Sequence, residues 1–152
     1  NLLSILELYG IYFRESSDII KYDISGYKTN FLIELNLTLF KISTLKSKTF
    51  QTLTNLKSLC LNSNEINKIE SNAFFNLKKL EVLKLATNKI EELNEDMFLD
   101  LKNLKDLDFS SNQIIKLQPN CFGELKCLKC LTFDRNRIKI LDKNAFNGCE
   151  NL

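Results

Sequence analysis

The chain has 152 residues, 21 Lys and Arg against 19 Asp and Glu, a formal net charge of +2, and no His. That length suits one domain, and the near-neutral balance does not make the whole chain a polyanion binder. The absence of His excludes Ser-His-Asp and Cys-His catalysis, His metal ligation and the usual pH switch near neutrality.

Residues 1–31 are the least regular. Leu8, Ile11 and Phe13 fit one strand, while Ile19, Tyr22 and Tyr27 fit the downstream pattern only after a one-residue shift. This segment reads as a degenerate repeat or an irregular N-terminal piece. From Leu32 the pattern sharpens: Leu32, Leu35, Leu37, Ile42, Leu45, Phe50 and Leu53 fall into register, with Phe40 at a position that later units give to Asn.

Four full units follow. Their openings are Leu56-Lys-Ser-Leu59-Cys-Leu61-Asn-Ser-Asn64, Leu80-Glu-Val-Leu83-Lys-Leu85-Ala-Thr-Asn88, Leu104-Lys-Asp-Leu107-Asp-Phe109-Ser-Ser-Asn112 and Leu128-Lys-Cys-Leu131-Thr-Phe133-Asp-Arg-Asn136. The spacing is 24 residues throughout, and Leu152 opens a further unit. A fixed period in this range predicts a stacked array, here with units 32–55, 56–79, 80–103, 104–127 and 128–151. One Pro and four Gly leave no linker of ordinary composition, so no domain boundary is marked.

Apolar residues alternate with polar ones across each opening, the strand period. Leu59 and Leu61 therefore point inward and Ser58 and Cys60 outward, with the same arrangement in each unit. Successive strands are expected to lie parallel, about 4.8 Å apart. Asn64, Asn88, Asn112 and Asn136 mark the turn after each strand. Their amides can satisfy backbone groups buried by the turn, which predicts a hydrogen-bonded Asn ladder. Phe50, Phe74, Phe98, Phe122 and Phe146 recur farther on and predict an aromatic spine behind the sheet. No unit can bury its apolar face alone; its neighbours must cover it.

These phrases resemble the leucine-rich repeat family, LxxLxLxxNxIxxL followed by FxxL. The resemblance covers residues 32–152 well and 8–31 poorly. It implies an α/β leucine-rich repeat solenoid, a curved horseshoe with a parallel β-sheet on its concave face. The 24-residue unit with its Phe is similar to the typical subclass, found mostly in extracellular receptors such as Toll-like receptors. The sequence departs from the family pattern at Phe40, at Cys149 in place of Leu, and in lacking recognisable terminal caps.

The outward strand positions form the candidate recognition surface. One column runs Asn36, Cys60, Lys84, Asp108, Thr132; a second runs Glu34, Ser58, Val82, Asp106, Cys130; a third runs Thr38, Asn62, Ala86, Ser110, Asp134. Lys84, Asp106, Asp108, Asp134 and Arg135 make its most charged part, with Lys84 and Asp108 expected to pair across one rung. The columns hold no aromatic residue, so they lack the side chains that most often dominate interfaces. The alternative is a merely solvated sheet face.

Where each unit enters its strand, Lys57, Lys78, Lys79, Lys102, Lys105, Lys126 and Lys129 gather on one edge, partly offset by Glu81, Asp100 and Glu124. The opposite edge carries Glu65, Glu70, Glu91, Glu92, Glu95 and Asp96 with Lys68 and Lys89. Such edges are either solvated faces or, on the basic side, a ridge that steers a polyanion.

Chemistry-bearing signals are sparse. Asp106 and Asp108 form an outward carboxylate pair, but nothing beside them suggests acid–base work, and no Gly-rich phosphate loop occurs. No enzyme, metal or cofactor is expected. Cys60 and Cys130 stand three rungs apart, roughly 14 Å, too far for a disulfide. Cys149 takes a core position. Cys121, Cys127 and Cys130, with a CxxC spacing, leave a local disulfide or metal site open, although the repeat register argues against both. Asn36-Leu37-Thr38 is a glycosylation sequon.

The expected function is non-catalytic binding of a protein or other macromolecular ligand. The resemblance implies the extracellular domain of a Toll-like or similar signalling receptor, with a dimer partner and membrane attachment through a segment outside this chain. Alternatives are a secreted or membrane-anchored adhesion or matrix protein and, favoured by the odd number of thiols, a cytoplasmic scaffold. The start at Asn1 and the end at Leu152 read as those of a fragment.

Overall fold

A computed structural model describes residues 32–152; the expected strand and shifted register at Leu8 to Tyr27 lie outside this range. The described chain is a solenoid of stacked coils. Each coil contributes one short strand to a five-stranded parallel sheet: β1 (Glu34–Asn36), β3 (Ser58–Cys60), β5 (Val82–Lys84), β6 (Asp106–Asp108) and β8 (Cys130–Thr132), in that spatial order. Register is constant, with Leu35 beside Leu59, then Leu83, Leu107 and Leu131. Pairing continues past the strands, since Leu61 N–H donates to Lys84 O and Ser63 N–H to Ala86 O.

The far side of the coils is less regular. Two-residue strands pair there as β2 (Thr44–Leu45) with β4 (Lys68–Ile69), and β7 (Lys116–Leu117) with β9 (Ile140–Leu141). The intervening coil has no such strand and carries a 3₁₀ helix at Glu95–Phe98 instead. No α-helix occurs among the described residues, so short strands, turns and this one 3₁₀ segment supply the backs of the coils.

One apolar core runs along the stack. Leu59, Leu83, Leu107, Phe109, Ile114 and Phe122 are fully buried. Phe50 stacks on Phe74 at 6.3 Å between ring centroids, Phe98 on Phe122 at 5.9 Å, and Phe122 on Phe146 at 5.8 Å. Phe109 joins the row edge-on against Phe98 at 6.1 Å. On the last coil Ile138, Leu141 and Phe146 are exposed. They occupy the same positions as buried residues in earlier coils, which have a neighbour on both sides.

Candidate functional site

The turn that follows each strand sets the shape of the outward face. Asn88 shows the pattern. Its Nδ2 donates to Leu85 O in its own coil and to Leu61 O in the coil before, both at 3.0 Å, while its Oδ1 accepts Ile66 N–H at 3.0 Å. Asn64, Asn112 and Asn136 repeat these three bonds with Leu61, Leu37 and Ile42, with Phe109, Leu85 and Ile90, and with Phe133, Phe109 and Ile114. Each amide thus ties its own strand exit to the preceding coil. That direction explains the place of Phe40: the groups of its coil that need an amide, Leu37 O and Ile42 N–H, are served by Asn64.

A second row has no sequence signal. The residue before each amide, and its counterpart Leu39, adopts the left-handed region: Leu39 at φ 67°, Ser63 at 54°, Thr87 at 58°, Ser111 at 55° and Arg135 at 54°. None is Gly, the residue that takes this conformation at no steric cost. In the first four the N–H continues the inter-coil ladder, as in Thr87 N–H to Ser110 O at 2.9 Å and Ser111 N–H to Asp134 O at 2.8 Å.

On this frame the outward columns stand in the expected rows, but one pairing differs. Lys84 lies in register with Asp108, yet its Nζ bonds Asp106 Oδ2, diagonally, at 2.6 Å. Asp108 is occupied elsewhere: its Oδ1 accepts both the N–H and the hydroxyl of Ser110, at 2.9 and 2.7 Å. That strand-exit turn holds its carboxylate in place. Asp106 Oδ1, by contrast, is buried without a hydrogen-bond partner. Arg135 Nε donates to Asp134 Oδ2 at 2.9 Å, in a pair that is well exposed. Ion pairs this accessible contribute about 0–1 kcal/mol. The patch therefore carries three carboxylates and two cations, and both cations are engaged within it.

The lysine-rich edge is arranged differently. Lys57 and Lys105 both approach Glu81, at 3.8 and 2.6 Å, and Lys105 holds the Glu81 carboxyl below its ordinary pKa. Lys79 donates to Asn55 Oδ1 at 2.6 Å. Among the described residues Lys78, Lys102, Lys126 and Lys129 are exposed and have no acidic partner. A half-ladder of amides backs this edge, with Asn103 Nδ2 on Lys78 O and Asn151 Nδ2 on Lys126 O, both at 2.7 Å. On the opposite edge Lys89 bonds Glu65 at 2.9 Å and holds that carboxyl low.

All five thiols are free. Cys121 is buried, which pushes its pKa up to about 11. Cys149 is partly buried and shifted the same way. Cys60 and Cys130 lie on the outward strands β3 and β8. Among the described residues no three His, Cys, Asp or Glu side chains converge as a metal site would require, and no helix is long and apolar enough to cross a membrane.

Parallel strands at constant register, an amide turn after each strand and a Phe row behind the sheet define a leucine-rich repeat solenoid. More narrowly, residues 25–152 match the model of the BspA-type leucine-rich repeat region in six copies, and the chain belongs to that family. Comparison with curated protein sequences gave no significant match. Among solved structures the chain is similar to Toll-like receptor 13 in its ssRNA13 complex, with 34% identity, a TM-score of 0.58 and coverage of 80% of this chain. It spans 20% of the length of that receptor chain.

Proposed function

We propose that this region is a non-catalytic recognition stretch within the extracellular domain of a Toll-like or similar signalling receptor. The observation that carries the reading is the 34% identity with Toll-like receptor 13 over most of the chain. Recognition would use the outward face of β5, β6 and β8, where Lys84, Asp106, Asp108, Asp134 and Arg135 stand on a frame held by buried bonds. With its cations already engaged by carboxylates, that face suits a polar protein ligand or a dimer partner. A polyanion such as the nucleic acid of the neighbour's complex would instead be drawn to Lys78, Lys102 and Lys126, whose charges lack acidic partners.

Protease protection tests the location. In sealed microsomes from cells making the full-length protein, an epitope within residues 128–151 is expected to survive trypsin and to be cut only after detergent. Cutting in sealed vesicles, or recovery in the cytosol, would favour the scaffold reading, which the five free thiols support. The edge is tested on heparin resin. Lys78→Glu, Lys102→Glu and Lys126→Glu together are expected to elute the protein at lower salt, while Lys84→Glu has a smaller effect. Equal elution of wild type and triple variant would leave the edge as solubilising charge.

A further inference from the structure

Asn36 ends β1, the first strand of the described sheet, and its side chain is exposed. Its Oδ1 accepts two hydrogen bonds from Thr38, the N–H at 3.0 Å and the hydroxyl at 2.7 Å. These contacts close an Asx turn across the Asn36-Leu37-Thr38 sequon, with Leu37 buried between the two polar residues. Among the described residues the Nδ2 of Asn36 makes no hydrogen bond. The acceptor nitrogen is thus free on the surface while the carbonyl oxygen is held by the residue that defines the sequon.

We propose that Asn36 carries an N-linked glycan, and that this glycan covers the β1–β3 end of the outward face and disfavours ligand contact there. The inference rests on the receptor reading, because the modification requires entry into the secretory pathway. In the transfer, Nδ2 bonds to the anomeric carbon of an oligosaccharide carried on a lipid pyrophosphate. The carbon–oxygen bond to the pyrophosphate breaks, the lipid pyrophosphate leaves with the electron pair, and Nδ2 loses one proton. Position decides the consequence. Cys60 is the register partner of Asn36, and its Sγ lies 3.3 Å from Thr38 Oγ1. Asp108 is three rungs away, roughly 14 Å, and Cys130 four rungs, roughly 19 Å. A branched glycan rooted at Asn36 therefore stands first over Cys60, and its cover thins with distance toward Asp108 and Cys130.

Two thiols on the same face supply the readout. The full-length protein is secreted from mammalian cells behind an appended leader, and its peptides are mapped by mass spectrometry with and without peptide N-glycosidase. The expected result is a glycan on Asn36, lost in Thr38→Ala and retained in Thr38→Ser. A bare Asn36 in folded, secreted protein would overturn the site. Labelling with a polyethylene-glycol maleimide is then compared between wild type and Asn36→Gln. Removing the glycan is expected to speed labelling of Cys60 several-fold and that of Cys130 much less. Equal Cys60 rates would overturn the shielding. Protein made from its native reading frame, without the appended leader, separates the two readings: if it stays unglycosylated in the cytosol while the appended-leader form is modified, the receptor location fails and the acceptor site stands.

Discussion

Coils 104–127 and 128–151 carry the same pattern and bury it to different extents. Leu107, Phe109, Ile114 and Phe122 are completely buried, as is Leu117 to within 1%. Their counterparts Leu131 and Phe133 are only partly covered, while Ile138 is 36%, Leu141 58% and Phe146 38% exposed. The amides differ in the same way: Asn112 is buried, whereas Asn136 makes equivalent bonds in a more open setting. The repeat therefore fixes which side chains point inward, and the next coil supplies their burial. Stability in such an array sits largely in the interfaces between coils.

The dependence of burial on neighbouring coils is open to substitution at three depths. The largest effect is expected from the Phe row. Phe122 touches Phe98, Phe133 and Phe146, so Phe122→Ala should cost about 3–5 kcal/mol in chemical unfolding. In the 152-residue chain Phe146→Ala, with one ring neighbour and partial exposure, should cost about 1–2 kcal/mol. Equal losses would mean that neighbours do not decide burial. The amides come next. Asn112→Leu leaves Leu85 O, Phe109 O and Ile90 N–H without their partner, and should cost about 1–3 kcal/mol. Asn136→Leu should cost less because water reaches its partners.

The smallest effect is read in thiol chemistry. Burial keeps Cys121 protonated up to about pH 11 in the folded chain, so at pH 8 it should label far more slowly than exposed Cys130. The same shift makes the folded chain hold its proton above the ordinary thiol pKa of about 9, where the unfolded chain releases it. Stability should therefore fall as pH rises from about 9 to 11. Comparable labelling of both thiols at pH 8 would show that the Cys121 coil opens.

The period and the inward positions were legible because apolar residues recur at one spacing with strand alternation. Other features were not, for physical reasons. Register places Lys84 beside Asp108, but only the Ser110 turn reveals that Asp108 is held and that Asp106 takes the lysine. The left-handed row from Leu39 to Arg135 has no glycine to announce it. The coil containing Glu95–Phe98 carries Asp96 where Asn72 and Asn120 take positive φ, and it folds as a 3₁₀ turn instead. The columns of the outward face follow directly from the period; the side chains that fill them vary from coil to coil.

The solenoid divides labour between its two faces: inward residues hold the frame, and the outward residues of the sheet contribute little to it. Urea unfolding of wild type, Asn88→Leu and the triple variant Lys84→Ala, Asp134→Ala, Arg135→Ala tests it directly. The triple variant is expected to stay within about 1 kcal/mol of wild type, while Asn88→Leu loses about 1–3 kcal/mol. A triple variant as destabilised as Asn88→Leu would make those side chains part of the scaffold and contradict the division.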